Sequence, residues 1–288
     1  MKIPVSELPK QPNGAIYHLG LFPEEIADDI ILVGDPGRVE KISDRFDKVE
    51  LKRQNRELIT HTGMKNGKRL SVISTGMGTD NIDIVLTELD ALANIDLEKM
   101  EVKNEHKSLN LIRIGTSGAL QAEIDTGSFV ASAYGLGIDG VLQFYKNNGD
   151  FEDDLVEAFV KQTDWNEKLP YPYCTAASQQ LLDKVAHDFY QGITVSAPGF
   201  FGPQGRLVRA PLMYPELNQK IEEFSFHGKS ITNMEMECSA IYGLSKVLGH
   251  NPLTVCLIVA NRVTYGSAFD YHTMMNKLID TVLERLTI

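Results

Sequence analysis

The stretch Leu109-Asn-Leu-Ile-Arg-Ile-Gly-Thr-Ser-Gly-Ala-Leu120 is the centre from which the fold can be predicted. Its apolar, β-branched first half is typical of a buried strand, and its Gly-Thr-Ser-Gly segment predicts a turn that follows the strand. Arg113 interrupts the apolar run, and a buried guanidinium without a partner would cost several kcal/mol. Arg113 therefore needs an anion, which is either a protein carboxylate or a ligand. Thr116 follows the predicted strand, where open α/β sheets bind ligands.

The composition excludes several classes of protein. The chain has 288 residues, of which 43% are hydrophobic and 23% charged, and its formal net charge is -11. This acidic balance argues against extended nucleic-acid binding, which needs a clustered basic surface. Cys174, Cys238 and Cys256 are too few and too widely spaced to indicate a disulfide framework or a CxxC metal site. Because no apolar run has the length of a signal peptide or a membrane span, we expect a cytoplasmic protein without a membrane partner.

A unit of strand, glycine loop and helix recurs along the chain. The strand at 30–33 leads into Gly34-Asp-Pro-Gly-Arg38, and the strand at 69–75 leads into Gly76-Met-Gly78. This pattern predicts an α/β fold with one domain, residues 1–288, built as a three-layer α/β/α sandwich around a mixed, largely parallel twisted sheet. Residues 137–169 break the pattern and are interpreted as an insertion. Further predicted elements are strands at 127–133, 192–197 and 253–260 and helices at 151–160 and 272–286.

The Gly34 to Arg38 loop is one candidate anion site. Glycines allow close approach of the backbone, a helix N-terminus presents amide donors, and Arg38 adds positive charge. The loop is neither a Walker motif nor GxGxxG, so a tight structural turn explains it better than an anion site when it is considered alone. His18, next to Tyr17, is by itself typical of a surface or packing residue, and Arg56 is expected to be merely exposed.

Two later segments carry chemistry of another kind. In Phe200-Phe-Gly-Pro-Gln-Gly-Arg206, an aromatic could stack on a flat heterocycle that an amide and a guanidinium then recognise, although the aromatics could instead pack inward. Glu235 and Glu237 are predicted in the first turn of a helix, where acids commonly interact with the helix dipole. Their position near a predicted sheet edge would also let them accept hydrogen bonds from sugar hydroxyls.

Taken in order, four motifs resemble those of the nucleoside phosphorylase I family, and within it the uridine phosphorylases: Gly34-Asp-Pro-Gly-Arg38, Arg113-Ile-Gly-Thr116, Gln204-Gly-Arg206 and Glu235-Met-Glu237. The resemblance extends from Tyr17 to the C-terminal helix. It implies a phosphorolysis in which phosphate attacks C1′ of a nucleoside and releases the base and ribose 1-phosphate. Phosphate would be the co-substrate, and neither a cofactor, a metal nor a covalent nucleophile would be needed.

The resemblance also implies three groups of site residues. Phosphate would be bound by Gly34, Arg38, Arg56, Arg113 and Thr116. Ribose would be bound by His18, Thr116, Glu235, Met236 and Glu237, and the base by Phe200, Gln204 and Arg206. The catalytic residues would be Arg113, Gln204, Arg206 and Glu237. His18 and Arg56 would come from the neighbouring subunit of a homodimer, which the long insertion favours, or of a hexamer.

Substrate choice has one clue in the sequence. Purine-cleaving relatives usually carry an Asp after the last strand, where this chain has Asn261-Arg262, so the resemblance favours pyrimidine nucleosides. A purine or broad-specificity phosphorylase and an inactive nucleoside-binding protein remain alternatives. Related nucleosidases that use water lack the phosphate-binding arginines that this chain retains. Asp80-Asn81 replaces a Pro-Ser step of many relatives, which puts in doubt a monovalent cation at a subunit interface.

Overall fold

A computed structural model describes residues 2–146, 151–267 and 269–288, and it confirms the predicted mixed α/β fold. The α-helices of the described residues are α1 (Gly37–Ser43), α2 (Thr79–Asn94), α3 (Asp153–Thr163), α4 (Gln179–Ala186), α5 (Leu217–Glu223), α6 (Cys238–Leu248) and α7 (Tyr271–Thr287). The strands are β1 (Asp29–Val33), β2 (Lys48–Asn55), β3 (Leu58–Lys65), β4 (Lys68–Ser74), β5 (Ile95–Asp96), β6 (Glu101–Val102), β7 (Asn110–Ala119), β8 (Phe129–Gly137), β9 (Tyr173–Ala176), β10 (Tyr190–Ser196), β11 (Ser225–Phe226), β12 (Lys229–Glu235) and β13 (Asn251–Asn261).

The large sheet has the strand order β2-β3-β4-β1-β7-β13-β8-β10-β12-β11, and β9 pairs with β8. Strands β4, β1, β7 and β13 run parallel to their neighbours in that order, and so do β8, β10 and β12. Strand β13 is antiparallel to β8, and the hairpins β2–β3 and β3–β4 are also antiparallel. Strands β4, β1, β7 and β13 bring their carboxyl ends to a common edge, and the glycine loops after β1 and β4 lie there.

Helices cover both faces of this sheet. On one face α2 and α6 pack against each other through side chains such as Leu86, Leu89 and Ile241. On the other face lie α1, α4 and α7, with Ile42 and Leu278 in their shared core. Alternate residues of β7 enter the two cores, as expected for a strand covered on both faces.

The predicted turn at Gly115 to Gly118 is wrong, because β7 continues to Ala119. Strand β13 pairs with β7 along its whole length, so the ladder occupies the backbone groups that a turn would have used. Gly115 is required for another reason: a Cβ there would lie 2.0 Å from Nη1 of Arg113. The absence of a side chain at Gly115 makes room for the guanidinium two residues earlier on the same face.

The predicted helix position of Glu235 and Glu237 is also wrong. Glu235 is the last residue of β12, and Glu237 is the N-cap of α6. The polar residues of β12 conceal its strand pattern in the sequence; in the fold, Asn233 is buried and hydrogen-bonded to Thr194 and Ser117. Strand β12 pairs with β10 on one side and with β7 on the other, and its last residue, Glu235, lies just past the point where the pairing with β7 stops. Strands β7, β13, β8, β10 and β12 thus form a closed ring.

The described part of the predicted insertion packs on the ring. Residues 147–150 of that segment lie outside the described residues. The predicted helix at 151–160 is observed as α3, shifted towards the carboxyl end, and its Phe159 ring lies 5.5 Å from Trp165 and 5.3 Å from Phe224, between centroids. In the parts of the chain that the structure describes, no helix has both the length and the apolar character needed to cross a membrane.

Candidate active site

A gap in strand pairing along β7 forms the candidate active site. On one side of β7 the ladder with β1 ends at Arg113, and the ladder with β12 begins at Gly118. Residues 114–117 therefore have no strand partner on that side within the described chain, although β13 stays paired on the other side. Two strands that diverge from a common neighbour open a cleft at the carboxyl end of the sheet. The ends of β1 and β12, which carry Gly34 and Glu235, border this cleft.

Arg113 has protein carboxylates as its partners, which is one of the two alternatives that the sequence left open. Its guanidinium is buried; Nη1 lies 3.2 Å from Oε2 of Glu235, and Nη2 donates to Oε2 of Glu237. Burial opposes the charge, but the carboxylates of Glu237 and Glu235 more than offset it, so the pKa of Arg113 is raised. Nε of Arg113 has no hydrogen-bond partner among the described residues.

The two carboxylates of this cluster are held differently. Glu235 accepts from the backbone N–H groups of Glu237 at 2.9 Å and Cys238 at 3.0 Å, and from Oγ of Ser196 at 2.5 Å. Burial raises the pKa of Glu235 to about 7, against the opposing effect of Arg113. Glu237 binds Arg113 with one oxygen and the backbone N–H of Gly78 with the other, at 2.8 Å. Glu237 therefore links β7 to the loop that begins α2.

Arg38 is a buried cation without a counter-ion. Nη1 donates to the carbonyl oxygen of Ile114 at 3.0 Å, and Nη2 donates to the hydroxyl of Tyr271 at 3.1 Å. In the described ranges no carboxylate lies within 4.0 Å of it. Ile114 belongs to the unpaired stretch of β7, so Arg38 reaches the cleft. The requirement for an anion thus falls on Arg38 and not on Arg113.

Two glycine loops meet beside Arg38. A Cβ on Gly34 would lie 3.3 Å from the carbonyl oxygen of Gly76, so the loops after β1 and β4 touch each other. The second loop is stabilised by Asn81, whose Nδ2 donates to the carbonyl oxygen of Met77 at 3.0 Å. Thr116 is half-buried in the unpaired stretch of β7. Gly34, Arg38 and Thr116 therefore all border the cleft, and their binding of phosphate stays a prediction.

The segment predicted to read a base is a short turn with its polar groups already oriented. Arg206 donates through Nη1 to Oε1 of Gln204 and to the carbonyl oxygen of Phe200, the latter at 2.6 Å, and its guanidinium carbon lies 3.9 Å from the centroid of the Phe200 ring. Because arginine only donates, the atom of Gln204 that faces it is the amide oxygen. Gln204 therefore keeps its Nε2 donors for another partner. Phe200 and Phe201 are 51% and 58% exposed, so the aromatics do not pack inward.

Arg262 is a second cation near this segment, to which the sequence gave no role. Its side chain crosses Gly118, where a Cβ would lie 3.2 Å from Cδ of Arg262, and Nη1 lies 3.7 Å from Sδ of Met234. Burial, together with the charge of Arg206, lowers the pKa of Arg262 to about 10. The missing side chain at Gly118 makes room for Arg262, as the missing side chain at Gly115 makes room for Arg113. The two glycines are the features of the sequence that could have indicated these close contacts.

Asn261 holds a turn and has no capacity left for a ligand. Its Nδ2 donates to the carbonyl oxygens of Gln121 and Ile124, both at 2.9 Å. Its Oδ1 accepts from the backbone N–H groups of Val263 and Thr264, also at 2.9 Å. The Asn261 amide therefore has a structural role. The next side chain, that of Arg262, is the one that lies near the predicted base-binding segment, residues 200–206.

His18 and Arg56 are not brought to the cleft of their own chain. Arg56 lies in the turn between β2 and β3, and these strands are separated from β7 by β4 and β1, a distance of roughly 15 Å at the spacing of adjacent strands. Arg56 lies beside the N-terminal segment that carries His18, with Nη2 at 3.5 Å from the hydroxyl of Tyr17. Its φ of +52° is uncommon for a residue other than glycine. Both predicted residues thus lie on one surface, outside the cleft.

Asp90, His106 and His250 form a separate cluster of groups that often bind metals. Nδ1 of His250 accepts from the backbone N–H of Leu109 at 3.2 Å, which leaves the ring proton on Nε2, 3.3 Å from Oδ1 of Asp90. Nε2 therefore has no lone pair to offer a metal. The prediction that no metal is needed remains a prediction.

The whole chain is similar to known nucleoside phosphorylases. Residues 28–281 match the family model described as the phosphorylase superfamily. Uridine phosphorylase of Thermococcus kodakarensis is 28% identical over 91% of this chain and 84% of its own length, and a DeoD-type purine nucleoside phosphorylase of Bacillus cytotoxicus is 29% identical over 93% and 97%. A solved nucleoside phosphorylase of Trypanosoma brucei that shows uridine phosphorylase activity superposes with a TM-score of 0.86 at 28% identity, over 97% of this chain and 99% of that one. The chain therefore belongs to the phosphorylase superfamily, as a pentosyltransferase of the nucleoside phosphorylase family.

Proposed function

We propose that this chain catalyses the phosphorolysis of uridine and its 2′-deoxy analogues, in pyrimidine salvage or catabolism. The products are the free base and the pentose 1-phosphate. The observation that carries the proposal is Arg38, a buried cation without a carboxylate partner in the described chain, which reaches the unpaired edge of β7. A phosphate dianion there supplies the missing counter-ion and is also the nucleophile.

The phosphate site combines charge with directed donors. Arg38 contributes charge-assisted hydrogen bonds, and the backbone at Gly34 and the side chain of Thr116 complete the cradle. Arg113 is already committed to Glu235 and Glu237 through its Nη atoms, so it contributes its positive field to the phosphate site. The anion is thereby placed where it can attack C1′ from one side of the sugar.

The pentose and the base extend from this phosphate along the cleft. Glu237 accepts hydrogen bonds from ribose hydroxyls, and Glu235 and Met236 complete that part of the site. The pyrimidine stacks on Phe200, with Nε2 of Gln204 donating to one carbonyl of the base and Arg206 placed to stabilise the negative charge that develops as the base departs. Removing one such preorganised donor commonly costs about 3 to 4 kcal/mol of transition-state stabilisation.

We propose a pyrimidine nucleoside as the substrate because of Asn261, the last residue of β13. Protonation of a purine leaving group needs an acid there, and this chain has Asn261, whose amide is fully used by backbone groups. A second candidate function is a purine or broad-specificity phosphorylase, which the similarity to the Bacillus cytotoxicus enzyme favours. Turnover of inosine above uridine would place that function first.

We further propose that two copies of the chain complete each other's sites. Arg56 and His18 lie on one surface, several strands from the cleft of their own chain, so they reach a phosphate and a ribose only across an interface. The dimer is the expected assembly, and a hexamer built from such dimers would use the same contact.

The decisive experiment follows uracil release from uridine with and without inorganic phosphate, with inosine in parallel. We expect release only when phosphate is present. Arg38→Gln should raise KM for phosphate roughly tenfold to a hundredfold, whereas the matched change Arg45→Gln, at an exposed pair with Asp280, should leave it unchanged. Release without phosphate would make the protein a hydrolase. Uridine binding without any release would make it a nucleoside-binding protein.

A further inference from the structure

Glu88 binds the segment that carries His18. This buried carboxylate, on α2, accepts from the backbone N–H of His18 at 2.9 Å and from that of Leu19 at 2.8 Å. The same carboxylate lies 2.7 Å from Nδ1 of the His18 ring. One side chain therefore fixes both the backbone and the imidazole of His18.

These contacts decide the tautomer of the imidazole. Nδ1 points at Oε1 of Glu88, which already accepts from the backbone N–H of His18, and a neutral ring meets that oxygen favourably only when Nδ1 carries the proton. The lone pair of the neutral ring is then on Nε2, away from Glu88. Carboxylates orient histidine rings in this way in catalytic triads and around metal ions.

His18 is also hydrogen-bonded to the strand that leads to Arg56, the other residue proposed to reach the neighbouring subunit. Nδ2 of Asn55 donates to the carbonyl oxygens of Tyr17 at 3.1 Å and His18 at 2.7 Å, and Asn55 precedes the turn that carries Arg56. Glu88 lies ten residues after Gly78, or about 15 Å along α2. Helix α2 therefore contacts Glu237 through the backbone N–H of its N-cap, Gly78, and contacts His18 through Glu88 near its middle.

We propose that Glu88 is a positioning residue that keeps His18 as the Nδ1–H tautomer, so that Nε2 accepts the hydrogen bond of the nucleoside 5′-hydroxyl in the neighbouring subunit. This inference rests on the proposed function. In Glu88→Gln the amide has one acceptor for three donors and brings N–H groups of its own, so the ring loses its fixed orientation. His18 is then still present, but its Nε2 is no longer held in the orientation that accepts the hydrogen bond of the 5′-hydroxyl.

Two substrates separate this role from a structural one. With uridine, we expect kcat/KM of Glu88→Gln to fall about tenfold or more, the loss typical when a supporting partner of a ligand-binding histidine is removed. With 5′-deoxyuridine, which lacks the hydroxyl, the same change should have almost no effect. In a His18→Ala background, adding Glu88→Gln should cause no further loss of kcat/KM. The matched control is Asp90→Asn on the same helix, which should leave both substrates unchanged.

An equal loss with both substrates, or a further loss in the His18→Ala background, would overturn the proposal. A second measurement needs no variant: the ¹⁵N shifts of the His18 ring in the wild-type protein should report a protonated Nδ1, and a protonated Nε2 in a neutral ring would contradict it even if Glu88→Gln failed to fold. Failure of the wild-type protein to cleave uridine would refute the proposed function instead, and calorimetric binding of the same two nucleosides would then replace turnover as the test of Glu88.

Discussion

Arg38 and Ile114 are joined by a hydrogen bond of 3.0 Å from the guanidinium Nη1 to the carbonyl oxygen, at the one stretch of β7 where the described chain leaves an edge unpaired. The bond places a buried cation at the mouth of a cleft. Arg113, in contrast, lies between two carboxylates. Two arginines that both border one cleft are therefore expected to respond in opposite ways to mutation.

Arg38→Gln should impair phosphate use without unfolding the protein. It removes a charge-assisted contact that is worth about 1.5 to 3 kcal/mol, so KM for phosphate should rise roughly tenfold to a hundredfold. The free energy of unfolding without phosphate should be unchanged or higher, because a buried cation without a counter-ion is removed. Phosphate kinetics and urea denaturation check both statements, and a large loss of stability would contradict them.

Arg113→Gln should destabilise the fold itself. It leaves the buried carboxylates of Glu235 and Glu237 without their cation, and breaking a buried pair in this way costs about 3 to 5 kcal/mol. Urea denaturation of this variant beside Arg38→Gln measures the difference. If the two variants were equally stable, the assignment of the counter-ions would be wrong.

Gly115→Ala should move the guanidinium of Arg113. The new Cβ would lie 2.0 Å from Nη1, and overpacking of this kind commonly costs about 1 to 3 kcal/mol of stability. We expect kcat/KM to fall as well, since Glu237 loses its partner. Gly266→Ala is the control, because its Cβ would meet nothing closer than 3.5 Å. Full activity and stability of Gly115→Ala would show that the strand adapts at no cost.

Glu235 should make stability depend on pH. Its pKa is about 7 in the folded protein and near 4.5 when unperturbed, so between these values the folded state retains a proton that the unfolded state has released. The contribution of this group is therefore fully present below about pH 4.5 and is lost as the pH rises through 7. The difference in unfolding free energy between wild type and Glu235→Gln should shrink over that range. A difference independent of pH would contradict the raised pKa.

Mixed subunits should recover activity if the sites are shared. Arg56→Ala removes the residue that a subunit donates to its neighbour, and Arg38→Gln impairs the cleft that receives it. In a heterodimer, the Arg38→Gln subunit donates an intact Arg56 to the intact cleft of the Arg56→Ala subunit, so one of the two sites is complete. After free exchange of equal amounts, about a quarter of the wild-type activity should return. Mass spectrometry of the native dimer must confirm the exchange. Confirmed heterodimers without activity would place Arg56 outside the neighbour's site.

Much of the architecture followed from local patterns. The runs at 30–33 and 69–75, each followed by glycines and an amphipathic helix, were sufficient to predict a largely parallel sheet between two helical layers, and the order of the four motifs predicted the family. Both signals are local: periodicity reports which face of a segment is buried, and a glycine loop reports where the backbone must turn or be approached closely. The residue types of the candidate site were therefore available from the sequence.

The sequence alone determined that Arg113 needed an anion, and only the tertiary structure decided which one. The carboxylates of Glu235 and Glu237 reach it because β12, more than a hundred residues later, inserts beside β7, and the same insertion leaves the unpaired edge that Arg38 reaches. Likewise, no local pattern joins His18 to Glu88, which are 70 residues apart. Strand pairing and counter-ions depend on contacts between distant segments, and the physical reason is that a single segment encodes its own burial but not the identity of its neighbours.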